Sequence, residues 1–166
     1  MPEYVRRLRE IVGSSELLQV PSVSIALRDS QGRVLLVRHS EGGVWLLPGG
    51  AIEPTEVPAD AAVREMFEET GLRVRLTGLV GVFGGPEFVF HYRNGDRTSY
   101  VMAVFEAEHL DGVQHPDGLE VLEIRFVTES DAAALPKARW VPEVLEAVFR
   151  PGNTRGFRSQ SLNRPE

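Results

Sequence analysis

Residues 50–72 decide the fold, and they read GAIEPTEVPADAAVREMFEETGL. The second half of this stretch predicts a helix that begins near Pro58, because proline suits a first helical turn and residues 59–70 contain no further proline or glycine. Gly71 follows where a helix usually ends in a left-handed residue. We therefore expect a single helix of about three turns in this segment.

Three carboxylates share one face of this predicted helix. Glu65, Glu68 and Glu69 stand at positions i, i+3 and i+4, a spacing that places them side by side. Like charges so spaced destabilise a helix by about 0.2–0.5 kcal/mol per pair, and anions near its C-terminus oppose the helix dipole. A hard divalent cation would remove this penalty. Taken alone, however, such a triplet is more often a solvated acidic face, on which Arg64 would pair with Glu68.

The whole segment matches a longer pattern, which includes the carboxylate triplet. The matching positions are Gly50, Glu56, Arg64, Glu65, Met66, Glu68, Glu69, Gly71 and Leu72. Their spacing resembles the signature of the Nudix (MutT-like) hydrolase family, Gly-x5-Glu-x7-Arg-Glu-U-x-Glu-Glu-x-Gly-U, where U is a bulky apolar residue. A full match at a given starting point has a chance probability on the order of 10⁻⁹ from average residue usage.

This resemblance implies a fold and a set of metal ligands. The fold would be of the α/β (α+β) class, an α/β/α sandwich with a mixed central sheet, in which the signature forms a loop–helix–loop. The resemblance implies that Glu65, Glu68 and Glu69 bind Mg²⁺ (or Mn²⁺) and that one of them helps to activate water. It also implies that the backbone carbonyl of Gly49 is a further ligand.

The resemblance also implies a positioning role and a reaction. Glu56 and Arg64 are expected to form a salt bridge that orients the helix, since metal ligands must be held at fixed angles. The expected reaction is metal-dependent hydrolysis of a phosphoanhydride bond in a nucleoside diphosphate linked to another moiety. ADP-ribose, a nucleotide sugar, a dinucleoside polyphosphate and a (deoxy)nucleoside triphosphate all remain candidate substrates. Metal-activated water needs no protein nucleophile, and the chain has no cysteine and no Gly-x-Ser-x-Gly motif.

The family resemblance allows two other functions, of which one stays open and the other is disfavoured. A catalytically silent nucleotide sensor or protein-interaction module is the main alternative, although such domains typically have a degraded signature and this one is intact. An isopentenyl diphosphate isomerase of the same fold would use a catalytic cysteine, which this chain lacks.

A further glutamate near a late strand is expected to act as a metal ligand or general base. We prefer Glu120, because it precedes a predicted strand at residues 121–127 and follows a turn-like sequence at residues 115–118. A solvated loop carboxylate is the alternative for this residue. Glu123 is equally compatible with a structural partner within the strand.

Substrate contacts outside the signature are harder to infer. Arg38 ends a predicted strand and is either a phosphate contact or a surface arginine. Trp45 is either a base-stacking surface or a core residue. Pro86 lies fifteen residues after Gly71, near where ADP-ribose-cleaving members often carry a proline, but it also fits a plain turn. The stacking and core alternatives also apply to Phe83, Phe88 and Tyr92, and none of the four histidines is assigned to a metal.

Composition limits the class of protein. The length of 166 residues fits one compact domain, and the net charge of −6 makes nucleic acid an unlikely partner compared with a small nucleotide. No apolar run approaches the ~20 residues that cross a bilayer, and the charged start lacks the apolar stretch of a signal peptide. We expect a cytoplasmic protein without a membrane segment, and the arginines of the tail leave capped RNA open as a substrate.

The sequence predicts three parts. Residues 1–13 form an amphipathic helix that covers a core edge or makes a homodimer contact. Residues 14–149 form the hydrolase domain, and residues 150–166 form a tail without its own core. Residues 22–28 and 34–37 predict strands that form a hairpin, and Asn94-Gly95 predicts a second one. Further elements are predicted as strands at 44–47, 72–82, 87–92, 98–106 and 121–127, a helical turn at 130–135 and a helix at 141–149.

Overall fold

The computed structural model describes residues 3–92 and 94–150, so the predicted tail beyond residue 150 lies outside the described residues. Within them the chain forms four α-helices, seven β-strands and a 3₁₀ turn at Pro86–Phe88. In chain order these are α1 (Glu3–Val12), β1 (Leu17–Leu27), β2 (Val34–His39), β3 (Trp45–Leu46), α2 (Pro58–Thr70), β4 (Leu72–Phe83), β5 (Val89–His91), β6 (Arg97–Gly112), β7 (Val121–Val127), α3 (Glu129–Ala134) and α4 (Val141–Phe149). None of these helices has the length and apolar character needed to cross a membrane.

The strands form two sheets. The first has the order β1-β6-β4, with β5 also paired to β6, and the second has the order β3-β2-β7. Strands β1 and β6 run parallel along their shared length, whereas β4 and β5 run antiparallel to β6. The second sheet is antiparallel throughout. The expected mixed sheet within an α+β fold is therefore confirmed.

Two core clusters lie between these sheets and the helices. Met66 of α2 packs with Ile25 of β1 in one cluster, and Val144 of α4 packs with Met102 of β6 in the other. Each cluster also takes apolar residues from the second sheet. Helices α2 and α4 therefore belong to different clusters, as the predicted α/β/α sandwich requires.

The predicted hairpin between residues 22–28 and 34–37 is wrong. Strands β1 and β2 belong to different sheets, and one isolated bridge, Arg28 to Val34, joins them. The turn itself forms, because the Asp29 carboxylate accepts the backbone N–H groups two and four residues on. Both strands are buried along most of their length, so each takes a partner from later in the chain.

Helix α1 is anchored to the turn that joins β5 and β6. The Arg9 guanidinium is buried, donates hydrogen bonds to the Arg97 carbonyl and to Thr98 Oγ1, and its Nε lies 3.6 Å from the Asp96 carboxylate. Val5 packs near Tyr100 in a small third cluster. The helix therefore covers a core edge, which was one of its two predicted roles, and the homodimer stays a prediction.

Candidate active site

Helix α2 has the predicted start and end. It begins at Pro58 and ends at Thr70, and Gly71 follows with φ 71° and ψ 1°. The Gly71 N–H donates to the Phe67 carbonyl at 2.8 Å, which closes the last turn. This left-handed end turns the chain directly into β4 and fixes the carboxylate face of the helix relative to the sheets.

Arg64 gathers the carboxylates around it. Its Nε and Nη2 donate to the two carboxylate oxygens of Glu56 at 2.8 and 2.9 Å. Its Nη1 donates to Glu65 at 2.8 Å and to Glu68 at 3.1 Å. The hydrogen bond from Arg64 lowers the pKa of Glu56, and the Glu56 carboxylate in turn raises the pKa of Arg64. The ion pair predicted between Glu56 and Arg64 is thus present as a bidentate contact.

Glu69 is the buried member of the triplet. Its side chain is 5% exposed, and one carboxylate oxygen accepts the Gly49 N–H at 3.1 Å. Burial raises the pKa of Glu69 well above its usual value, and the nearby charges of Glu65 and Glu120 add to the shift. Burial likewise raises the pKa of Glu65, against the opposing effect of Arg64. Negative charge is therefore costly at both Glu65 and Glu69.

The two glycines before α2 are each needed for a different steric reason. The carbonyls of Pro48 and Gly50 accept N–H groups of β1 at 2.9 Å, which leaves the Gly49 carbonyl between them outside that pairing. A Cβ on Gly49, whose φ is 150°, would lie 2.2 Å from the Val23 carbonyl oxygen. A Cβ on Gly50 would lie 2.4 Å from a Glu65 carboxylate oxygen. The first contact is with backbone and the second with the end of a proposed ligand.

A loop before β7 presents Glu120. The Asp117 carboxylate accepts the backbone N–H groups of Leu119, Glu120 and Val121 at 2.8–3.1 Å, and the Glu120 carbonyl accepts the Ser40 N–H at 2.8 Å. These bonds fix the loop at the end of β2. The alternative candidate, Glu123, instead lies within β7 and pairs with Arg38 at 3.1 Å and with Arg125 at 2.5 Å.

One cavity of about 970 Å³ brings these groups together. Its acidic wall includes all of the signature carboxylates proposed as ligands together with the loop glutamate. The residues concerned are Gly49, Gly50, Glu65, Glu68, Glu69, Asp117 and Glu120. A second, largely apolar wall is formed by Phe90, Tyr92, Tyr100, Met102 and Trp140.

Three aromatic residues of the apolar wall contact one another. The hydroxyl oxygens of Tyr92 and Tyr100 lie 2.7 Å apart, and Phe90 meets Tyr100 edge to face with ring centroids 5.0 Å apart. Burial raises the pKa of both tyrosines, so their hydroxyls remain neutral hydrogen-bonding groups at ordinary pH. Only Tyr92 of this trio was considered from the sequence, as a stacking or core residue. Phe90 and Tyr100 were missed because the pairing of β6 with β1 and β5 brings them to the cavity.

An ion pair also lines the cavity. Arg139 donates to both carboxylate oxygens of Glu87, at 3.1 and 3.2 Å, and the two side chains are 72% and 47% exposed. The next residue after each, Phe88 and Trp140, is buried, with ring centroids 6.2 Å apart. The charged groups therefore stand exposed on two fixed segments. No local sequence pattern marked either residue.

The three substrate contacts predicted outside the signature do not line this cavity. Arg38 pairs with Glu123 in the second sheet. Trp45 is 3% exposed and lies beneath the Arg125 guanidinium, 4.9 Å from the ring centroid. Pro86 is exposed at the start of the 3₁₀ turn, beside Glu87.

The donor set of the acidic wall suits a hard cation. Carboxylates and a backbone carbonyl supply only oxygen ligands, which magnesium and manganese prefer. In residues 3–92 and 94–150 no three histidine, aspartate or glutamate side chains already converge as a metal-binding group. Glu65 and Glu68 each accept a hydrogen bond from Arg64 Nη1 instead.

Comparisons with known proteins agree with the signature. A family model described as NUDIX domain matches residues 18–148. A "MutT-like protein" of Streptomyces ambofaciens is 36% identical over 135 residues, which are 81% of this chain and 80% of that protein. A solved UDP-X diphosphatase is 25% identical with a TM-score of 0.64, and the match covers 89% of this chain and 68% of the other. An ADP-ribose pyrophosphatase from Streptococcus suis, 22% identical with a TM-score of 0.61 over 78% of this chain and 89% of the other, shares the fold. The chain therefore belongs to the Nudix hydrolase family.

Proposed function

We propose that this protein is a divalent-metal-dependent pyrophosphohydrolase that cleaves a phosphoanhydride bond in a nucleoside diphosphate linked to another moiety. One observation carries the proposal. Glu65, Glu68, Glu69 and Glu120 line the same cavity although they come from a helix and from a distant loop. Such a cluster of carboxylates can bind cations, and these cations would separate it from an anionic substrate.

The burial of Glu69 supports a cation at this wall. A carboxylate that is 5% exposed and close to Glu65 and Glu120 is costly to ionise, and an adjacent cation offsets that cost. We propose Mg²⁺ as the ion, with Mn²⁺ as the alternative, held by Glu65, Glu68, Glu69 and the Gly49 carbonyl. Nudix hydrolases generally use divalent metal ions, in keeping with this assignment.

The chain's own residues would then have distinct roles. A bound divalent cation supplies neutralisation of the diphosphate charge and makes an attacking water more acidic. Glu56 holds Arg64 by a bidentate contact, and Arg64 holds the ligand face in turn. The Gly49 N–H fixes one oxygen of Glu69. Glu120 is proposed as the general base that accepts the proton of the attacking water, because the loop bonds to Asp117 hold it at the same cavity.

The largely apolar wall of the cavity supports a nucleotide as the substrate. A cavity of about 970 Å³ lies at the upper end of the range that encloses small-molecule ligands. Phe90, Tyr92 and Tyr100 offer aromatic surface suited to a nucleobase, with hydroxyl groups for hydrogen bonds. The related UDP-X diphosphatase and ADP-ribose pyrophosphatase support nucleoside diphosphates that carry a further group. The net charge of −6 favours such small nucleotides over nucleic acid.

The test is a hydrolysis assay on a panel of nucleotides. It contains ADP-ribose, nucleotide sugars, dinucleoside polyphosphates and nucleoside triphosphates, each with Mg²⁺, Mn²⁺ or EDTA. The Glu68→Gln variant is compared with Glu10→Gln, which changes an exposed glutamate of α1. We expect metal-dependent release of phosphate-containing products that Glu68→Gln loses and Glu10→Gln keeps. Nucleotide binding without turnover in any condition would contradict the proposal and favour a catalytically silent sensor.

A further inference from the structure

We infer that Arg139 is a specificity-determining residue that binds an anionic group of the substrate outside the scissile diphosphate. Preferred substrates would then carry an additional carboxylate or phosphate. This inference rests on the proposed function, because it assumes that the substrate occupies the cavity that Arg139 lines.

Arg139 is the arginine of this cavity that is available to a ligand. Arg64 also lines the cavity, but it already donates to three carboxylates and to the Ala51 carbonyl. Among the described residues, the polar partner of Arg139 is Glu87. Acidic side chains otherwise dominate the polar lining and repel anions, so an added anionic group of the substrate would be directed to Arg139.

The existing pair is weak enough to be exchanged. The side chains of Arg139 and Glu87 are 72% and 47% exposed, and ion pairs in contact with water contribute little to stability. A guanidinium can bind a carboxylate or phosphate through the same two-pronged geometry that it uses toward Glu87. A substrate anion in a partly enclosed cavity would therefore displace Glu87 at small cost.

The segment that carries Arg139 is fixed relative to the acidic wall. The Trp45 N–H donates to the Pro136 carbonyl at 2.8 Å, and the Ala138 N–H donates to the Trp45 carbonyl at 3.4 Å. From Trp45 the chain reaches Gly49 in four residues, which span at most about 14 Å. Leu46 and Leu47, between them, line the cavity. One small nucleotide can therefore reach both the acidic wall and the segment that carries Arg139.

The experiment uses two pairs of nucleotides that differ by a single anionic group. UDP-glucuronate is compared with UDP-glucose, which lacks the carboxylate, and NADPH is compared with NADH, which lacks the 2′-phosphate. The kcat/KM ratio within each pair is measured with Mg²⁺, and the dissociation constants are measured by calorimetry in EDTA. We expect the wild-type protein to favour the anionic member of at least one pair by about tenfold or more. This is the gain in affinity that one charge-assisted hydrogen bond provides.

The variants separate ligand binding from a structural role. Arg139→Ala should abolish the preference, and Arg139→Lys should keep part of it because the charge remains without the planar fork. Glu87→Gln should increase the preference, since it removes the competing carboxylate. Arg73→Ala is the control, because Arg73 forms a comparably exposed pair with Asp111 and does not line the cavity.

The outcomes distinguish this inference from the proposed function. Absence of turnover on the whole nucleotide panel contradicts the proposed function, while the binding ratios still test Arg139. A wild-type ratio near one in both pairs overturns the inference, as does a ratio that Arg139→Ala leaves unaltered. If Glu87→Gln lowers the preference for the anionic nucleotide as much as Arg139→Ala does, the ion pair acts only structurally. That result would also overturn the inference.

Discussion

Replacing either of two adjacent glycines by alanine should damage this protein in two different ways. In Gly49→Ala the new Cβ would lie 2.2 Å from the Val23 carbonyl oxygen and 2.7 Å from the Ser24 Cα, both backbone atoms of a buried strand. In Gly50→Ala the new Cβ would lie 2.4 Å from a carboxylate oxygen of Glu65. The backbone of β1, a strand buried along most of its length, cannot move aside, whereas the end of a glutamate side chain can.

The expected magnitudes follow from these contacts. Overpacking costs about 1–3 kcal/mol, and a non-glycine residue held at the φ of 150° adds about 1–3 kcal/mol. Gly49→Ala should therefore lose about 2–6 kcal/mol of unfolding free energy. Gly50→Ala should change stability by no more than about 1 kcal/mol, but it displaces Glu65. Loss of that proposed metal ligand should lower activity at least about 10- to 100-fold, as even weaker disturbances of metal sites do.

Urea unfolding, monitored by circular dichroism, measures the change in stability. Initial-rate assays with Mg²⁺ measure the change in activity. The two variants are controls for each other, because they introduce the same methyl group one residue apart. A Gly50→Ala variant that folds normally and retains activity within about threefold of wild type would contradict a displaced metal ligand. A free energy of unfolding for Gly49→Ala within about 0.5 kcal/mol of wild type would contradict the predicted clash with β1.

Three further changes test other parts of the structure. Glu56→Gln removes half of the bidentate contact with Arg64 and should weaken Mg²⁺ activation about 10- to 100-fold, measured as the Mg²⁺ concentration at half-maximal rate; an unchanged value would count against a positioning role. Asp96→Ala removes the carboxylate beside the Arg9 guanidinium, which is 8% exposed and retains uncharged acceptors, and should cost about 3–5 kcal/mol in urea unfolding. A loss below about 1 kcal/mol would mean that the ion pair does not anchor α1. Burial raises the pKa of Glu69 in the folded chain above its usual 4.5, so its contribution to stability is present below pH 4.5 and is lost as pH rises through the raised pKa. If Glu69 is a ligand, it would bind Mg²⁺ in its ionised form, so Mg²⁺ should raise the melting temperature more at about pH 8 than at about pH 5. An equal or opposite shift would contradict the assignment of Glu69 as a ligand.

The part of the site that depends on local spacing could be predicted from the sequence. Glu65, Glu68 and Glu69 lie on one helical face because three and four residues span about one turn. Gly71 adopts the left-handed conformation expected after a helix. The Asn94-Gly95 hairpin also forms, since β5 pairs with β6 on its two sides. Each of these features is set by a few neighbouring residues.

The part that depends on long-range pairing could not be predicted. Strand β1 pairs in parallel with β6, and Val20 lies opposite Tyr100, eighty positions later in the chain. Nothing in either segment specifies that register, so the sequence favoured the nearer partner for β1. Arg139 reaches the cavity through Trp140 packing on Phe88, a contact between two loop-like segments. Buried apolar strands accept many partners, and the choice among them belongs to the whole fold.

The contacts of Arg64 bear on the order in which this protein would fold and acquire the proposed ion. Zinc fingers are unfolded until metal arrives, since nothing else neutralises or gathers their ligands. Here the guanidinium serves as a tethered counter-ion for Glu56, Glu65 and Glu68. The helix can therefore be completed before any cation is present, and a chelator should silence the enzyme while its tertiary structure persists. Binding of the proposed cation would then be a reversible step after folding, in which the cation competes with a side chain of the protein itself.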